Sequence, residues 1–255
     1  MNRSGRAYKE RSVKKKEIIE SLKAQKEIFG DILYQKLDIK PIKPEPPSIK
    51  TAASAKMTEP ELFPAEWERA TTLDELNEMI CKCQFCNLHK TRNKFVFGKG
   101  NPEAGVMCIG EGPGADEDEQ GEPFVGRAGV LLTKILEAIN FTREEVFIAN
   151  IVKCRPPGNR TPLPQEMESC LPYLRKQIEL IKPKAILCLG LTAAQALLEK
   201  RDTLTNFRGK VFAHNNIKVM VTYHPAALLR NPNWKKGCWE DVQAFRKLYD
   251  NLVKE

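Results

Sequence analysis

The chain has 255 residues, 42% of them hydrophobic, which suits one well-buried domain with an extension. It has no run of eighteen apolar residues and no apolar signal core at its amino terminus, which argues against a helical membrane span or export and sets the expectation of a cytoplasmic protein. The formal charge of +8 and a pI near 9.0 favour a polyanionic partner, and the eight cysteines of a reducing compartment read as thiols or metal ligands rather than disulfides.

Residues 1–39 are rich in Lys and Arg, and Ile18, Leu22, Phe29, Ile32 and Leu33 recur near helical spacing. This segment is either a solvated, partly helical tail or an arm that binds DNA or another protein. Residues 40–64 carry six prolines and are expected to form an extended linker. The folded domain is expected over residues 65–255.

Thr72 followed by Glu75 is a capping-box pattern ahead of Leu73, Leu76 and Ile80, predicting a short helix that leads to Cys83. Short apolar runs at 106–109, 146–152, 185–189 and 219–222 read as buried strands. Helical patterns at 130–139, 165–181, 193–198 and 239–252 alternate with them. The alternation predicts an α/β fold, a mainly parallel sheet with helices on both faces, whose ligands bind beyond the carboxyl ends of the strands.

Three unusual segments fall at those strand ends. The first, G-E-G-P-G followed by an acidic run and P-F-V-G-R-A-G, spans Gly110 to Gly129. Its glycines allow close backbone approach to a ligand, and its carboxylates offer a base or a water-orienting group. A plain acidic loop has the same composition, while the spacing departs from that of a dinucleotide site. The second, N-I-V-K-C-R-P-P-G-N-R, places Asn150 near a strand end, where its carboxamide offers both a donor and an acceptor. The third, Thr222 to Pro232, contains His224, a potential donor to a developing anion, Leu228 or Leu229 as an apolar wedge, and Arg230 for phosphate.

Among the cysteines, Cys83 and Cys86 form a C-x2-C pair, and Cys154 and Cys170 follow at long range. Four such thiols suit an iron-sulfur cluster, with zinc as the alternative, although zinc ribbons normally carry a second tight pair. Cys81 is a rival ligand two residues from Cys83, whereas Cys108 and Cys188 sit in apolar runs and read as core.

Taken together, G-E-G-P-G, P-F-V-G-R-A-G, N-I-V-K-C-R-P-P-G-N-R, the four cysteines and H-P-A-A-L-L-R resemble the family 4 uracil-DNA glycosylases over residues 72–252. The resemblance implies a three-layer α/β/α fold around a four-stranded parallel sheet. It implies hydrolysis of the N-glycosidic bond of a flipped-out deoxyuridine in single- or double-stranded DNA, leaving an abasic site. Phe124 would stack on uracil, Asn150 would bond its N3–H and O4, and Glu111 and Gly112 would shape the pocket. His224 would stabilise the departing base, with Glu117, and Asn159 as a second polar group, handling water. Leu228 would be the wedge and Arg230 the backbone contact. In the related family with the motif G-Q-D-P-Y the Asp handles water, but Gly112 stands in its place here. Cys83, Cys86, Cys154 and Cys170 would hold one 4Fe-4S cluster. The chain is expected to act as a monomer, with residues 1–64 as a potential protein-binding arm. A non-turnover uracil-DNA binder, or a member with another base preference, is the alternative.

Overall fold

The computed structural model describes residues 65–254 together with Lys23 and Lys26, so the basic extension and the proline-rich linker otherwise lie outside the described residues. Helix α1 (Leu73–Ile80) starts at Thr72, whose extended backbone lets its hydroxyl accept the Glu75 N–H at 3.2 Å. The Glu75 carboxylate reaches back to the N–H and hydroxyl of Thr71, at 2.8 Å each, so the reciprocal half of the expected box is displaced by one residue. Leu73, Leu76 and Ile80 bury one stripe of this helix, and its end delivers the chain to the first cysteines.

Six strands form one sheet in the order β1 (Lys99–Gly100), β3 (Phe147–Asn150), β2 (Val106–Gly110), β4 (Ala185–Leu189), β6 (Ile217–Thr222) and β5 (Phe212–His214). The four central strands run parallel, as expected, and the short edge strands β1 and β5 are antiparallel additions. Edge strands of two and three residues are too short to show an alternation. Strands β2, β3 and β4 are buried throughout, which accounts for their continuous apolar runs.

Alternate strand residues feed two cores. Met107, Ile109, Ile186, Cys188, Val219 and Val221 pack with α1, α4 (Pro164–Ile181), α5 (Leu191–Leu198) and α6 (Leu204–Phe207). Val106, Cys108, Ile148, Leu187, Leu189 and Met220 pack with α3 (Arg127–Ala138), α7 (Pro225–Arg230) and α8 (Lys235–Lys254). Cys108 and Cys188 are thus core residues on opposite faces. The acidic run is not a loop but a six-residue helix, α2 (Ala115–Gln120), whose carboxylates at the first turn suit its positive end. No helix among the described residues is long and apolar enough to cross a membrane.

A buried brace holds the end of β6. Asp241 of α8 accepts from Arg208 Nε at 2.6 Å and from the Thr222 hydroxyl at 2.8 Å, and Arg208 also donates to the Tyr223 hydroxyl at 2.8 Å. His224 therefore leaves the sheet from an anchored strand end.

Candidate functional site

Beyond the carboxyl ends of β2, β3 and β6 lies a cleft of about 400 Å³, lined by Glu111, Gly112, Glu117, Phe124, Asn150, Asn159, His224 and Arg230. All three segments singled out in the sequence converge here. A larger hollow of about 680 Å³, between Trp67, α4 and Ile217, contains none of the candidate residues.

Asn150 forms the floor. It closes β3 opposite Gly110 in the parallel register and is only 2% exposed. Its Oδ1 is buried and has no hydrogen-bond partner within the protein, so a ligand edge that satisfies it gains against a standing desolvation cost of about 1–3 kcal/mol. The backbone carbonyl of Asn150 accepts from Lys153 Nζ at 3.1 Å, and Lys153 Nζ is itself held by Gln177 Oε1 at 2.5 Å. Burial pushes the Lys153 ammonium down to about 8. This inner brace was not expected from the sequence; a Lys beside a cysteine gave no sign of being fully buried.

Phe124 stands over Asn150. A Cβ added at Gly110 would lie 2.5 Å from Asn150 Oδ1 and 2.6 Å from Phe124 Cζ, so only glycine lets the two side chains meet there. Phe124 takes a left-handed backbone at φ 52°, uncommon for an aromatic residue and a mark of a ring held in place by its surroundings. Gly129 makes room for that turn, since a Cβ there would come within 1.8 Å of the Phe124 carbonyl oxygen. The Phe124 and His224 rings face each other at a 5.6 Å centroid separation and a 32° tilt.

His224 is the N-cap of α7. Its Nδ1 accepts the Ala226 N–H at 3.2 Å, which in the neutral ring leaves the proton on Nε2. Burial, with Arg230 adding to it, pushes the imidazole down to about 4. A neutral ring with a fixed N–H donor is suited to stabilising an anion that forms during a reaction.

Glu117, expected to handle water, faces the cleft but also ties its wall together. Oε2 accepts from Gly114 N at 3.0 Å, while Oε1 accepts from Val125 N at 2.9 Å and Gly126 N at 3.0 Å. Three of a carboxylate's roughly four acceptor positions are thereby occupied. Asn159 lies across the cleft at φ 56°, with Oδ1 accepting from Arg155 Nε at 2.7 Å. The following Arg160 forms a paired bridge to Glu166, at 2.9 and 2.6 Å, fixing the loop onto the start of α4. Gly112 lies against the Val152 side chain, where a Cβ would approach to 2.7 Å, and the Glu111 carbonyl accepts the Val152 N–H at 3.2 Å. The backbone of both thus lies against Val152 at the cleft wall.

The wedge assignment requires correction. Leu228 is 0% exposed and packs in the core with α3 and α8, so it cannot enter a base stack, whereas Leu229 is 40% exposed. On a six-residue helix adjacent positions face different ways, and the sequence alone did not say which leucine faced inward. Arg230, at the exposed end of the same helix, lines the cleft.

At the other end of the K-C-R-P-P loop the four cysteines converge. The Cys86, Cys154 and Cys170 thiols are all pushed up, Cys170 to about 12, by burial first and then by one another's proximity. Donors surround the sulfurs: Arg92 Nη1 reaches Cys154 Sγ at 3.1 Å, the Tyr173 hydroxyl Cys83 Sγ at 3.3 Å, and the Lys153 N–H Cys170 Sγ at 3.3 Å. Thiols crowded in this way, with N–H and O–H groups aimed at sulfur, fit a cationic centre that would deprotonate them. Among the described residues no group of three or more His, Cys, Asp or Glu side chains is placed to hold a metal ion.

Comparison with known proteins bears on the same residues. The pattern of the Uracil DNA glycosylase superfamily matches residues 97–248. The chain is 46% identical over 181 residues to a Type-4 uracil-DNA glycosylase of Pyrobaculum aerophilum, covering 68% of this chain and 92% of that protein. It is 43% identical over 185 residues to the Type-4 uracil-DNA glycosylase of Archaeoglobus fulgidus, covering 69% and 93%. The Saccharolobus solfataricus protein of the same description is 45% identical over 189 residues, covering 71% and 86%.

Proposed function

The chain belongs to the uracil DNA glycosylase superfamily and, within it, to the Type-4 enzymes, and on that premise we propose that the strand-end cleft excises uracil from DNA. The enzyme is a DNA glycosylase that hydrolyses the bond between uracil and deoxyribose in DNA repair. The observation that carries the assignment of the site is the unsatisfied Asn150 Oδ1 at the cleft floor beside the Phe124 ring. The amide oxygen would accept uracil N3–H and the amide nitrogen would donate to O4. Cytosine would oppose a donor to a donor and an acceptor to an acceptor, a mismatch that can discriminate by about 10⁴ or more.

As the C1′–N1 bond breaks, the electron pair goes to the uracil ring and positive charge grows on the sugar. The His224 Nε2–H would stabilise the negative charge at O2. Glu117 would place its anionic charge near the sugar and use its remaining acceptor position, with Asn159, to orient the water that adds to C1′. Leu229 would fill the gap left by the flipped nucleotide and Arg230 would contact its phosphate, offsetting an unstacking cost of roughly a few kcal/mol.

Cys83, Cys86, Cys154 and Cys170 would hold a 4Fe-4S cluster, which when bound supplies a rigid, charged brace rather than a reacting group. A single zinc ion is the alternative, but a zinc ribbon normally carries a second tight C-x2-C pair, whereas Cys154 and Cys170 are sixteen residues apart. Residues 1–64 would extend the DNA contact or bind a protein partner.

Incubation with a labelled strand carrying one uracil, followed by alkali, tests this reading beside matched strands with thymine or cytosine. Scission at uracil alone is expected. Intact uracil strands after incubation with DNA-binding protein would instead indicate a non-turnover binder.

A further inference from the structure

We propose that Asp118 is a positioning residue that couples the four-cysteine pole to the uracil cleft; the proposal rests on the excision reading given above. Asp118 is 1% exposed and adjoins Glu117 on α2. Successive helix residues project roughly 100° apart, so the two carboxylates leave α2 in different directions. Glu117 takes the N–H groups of Gly114, Val125 and Gly126, which bracket Phe124. Asp118 Oδ1 takes the N–H groups of Asn93, at 2.9 Å, and Lys94, at 3.4 Å.

The residue just before those two is Arg92. Its guanidinium donates to the Cys83 carbonyl at 2.7 Å, to Cys154 Sγ at 3.1 Å and to the Cys81 carbonyl at 3.4 Å. An unbroken line of hydrogen bonds and main chain thus runs from two expected cluster ligands through Arg92, Asn93 and Asp118 to Glu117 and the cleft wall. A helix of six residues has little stability of its own, so its orientation is set by what its side chains hold. Asn93 and Lys94 are exposed residues, and their bonds to Asp118 lie at the part-buried edge of the fold rather than in its core. Losing Asp118 therefore costs orientation more than stability, and α2 becomes free to pivot with Glu117 upon it.

The test compares Asp118→Ala, Asp118→Asn, Arg92→Gln and the double variant Arg92→Gln with Asp118→Ala, each as the full chain. Readouts are kcat and KM on a uracil strand, iron and sulfide per chain, and melting temperature. Asp118→Ala is expected to lower kcat on the order of tenfold to a hundredfold, with iron content and melting temperature close to wild type. Asp118→Asn, whose amide oxygen still accepts both N–H groups, should recover most of that loss. The double variant should be no slower than the worse single variant, because both act through one line of contacts.

Unchanged kcat in Asp118→Ala, losses that multiply in the double variant, or a fall in melting temperature alone would each overturn the proposal. Should Asp118→Ala not fold, Asp118→Ser is read by the same criteria. A wild-type protein that releases no uracil would refute the functional reading itself, whereas normal wild-type release with an unaffected Asp118→Ala refutes only the coupling.

Discussion

Gly110 and Asn150 face each other at the ends of β2 and β3, and the space a Gly110 side chain would occupy is filled by Asn150 Oδ1 and the Phe124 ring. One residue without a side chain thus lets a reading group and a stacking group share a floor. Gly110→Ala should displace both while leaving the sheet intact. We expect excision to fall on the order of a hundredfold with little change in melting temperature, checked by single-turnover kinetics and thermal denaturation.

The half-buried His224 sets a pH dependence. Its imidazole lies at about 4, against 6.5 for the free side chain, so the neutral donor form persists in the folded enzyme far into acid. Excision should stay flat from pH 8 to below 6 with respect to this group and fall only near pH 4. Stability has the same sign: between about 4 and 6.5 the unfolded chain binds the extra proton, so stability is full above 6.5 and is lost as pH falls towards 4. The loss approaches roughly 3 kcal/mol. Melting temperatures of wild type and His224→Gln over pH 4–7 should converge at the acid end, and curves that stay parallel would argue against a His held neutral in the fold.

Cys154→Ser removes a sulfur that Arg92 holds and that sits four residues beyond Asn150. The variant should lose iron, sulfide and brown colour together, and excise uracil poorly through disorder of the loop. Cys238→Ser, away from the pole, should retain the metal. Stoichiometric zinc in stable, colourless wild-type protein would favour a zinc centre.

The two leucines of α7 separate packing from DNA contact. Leu228→Ala should destabilise the fold by about 2–5 kcal/mol, as a core truncation does. Leu229→Ala should leave stability near wild type and slow excision from duplex DNA about tenfold, with a smaller effect on single strands, where little stacking is lost. Equal effects on both substrates would show that Leu229 is not a wedge.

The parallel core, the helices around it and the convergence of three segments were readable because buried strands, helix periodicity and strand-end glycines leave marks in the sequence. What was hidden depends on facing. Leu228 and Leu229 are chemically identical, and only the packing of α7 against α3 and α8 decides which is covered. Asp118 and Lys153 look like ordinary surface charges, yet both are buried because the partners they meet are distant in the chain. The acidic run gave no sign that Glu117 and Asp118 would tie different loops, since that separation arises only once the residues wind into a helix.

The most direct test is release of free base from otherwise identical strands carrying uracil or cytosine, by wild type and by Asn150→Ala. Wild type should release uracil alone, and the variant should lose that release by a hundredfold or more, on the order of one essential hydrogen-bonding group, while keeping its fold and iron content. Uracil release by Asn150→Ala at the wild-type rate would contradict the assignment of the strand-end cleft as the site that reads the base.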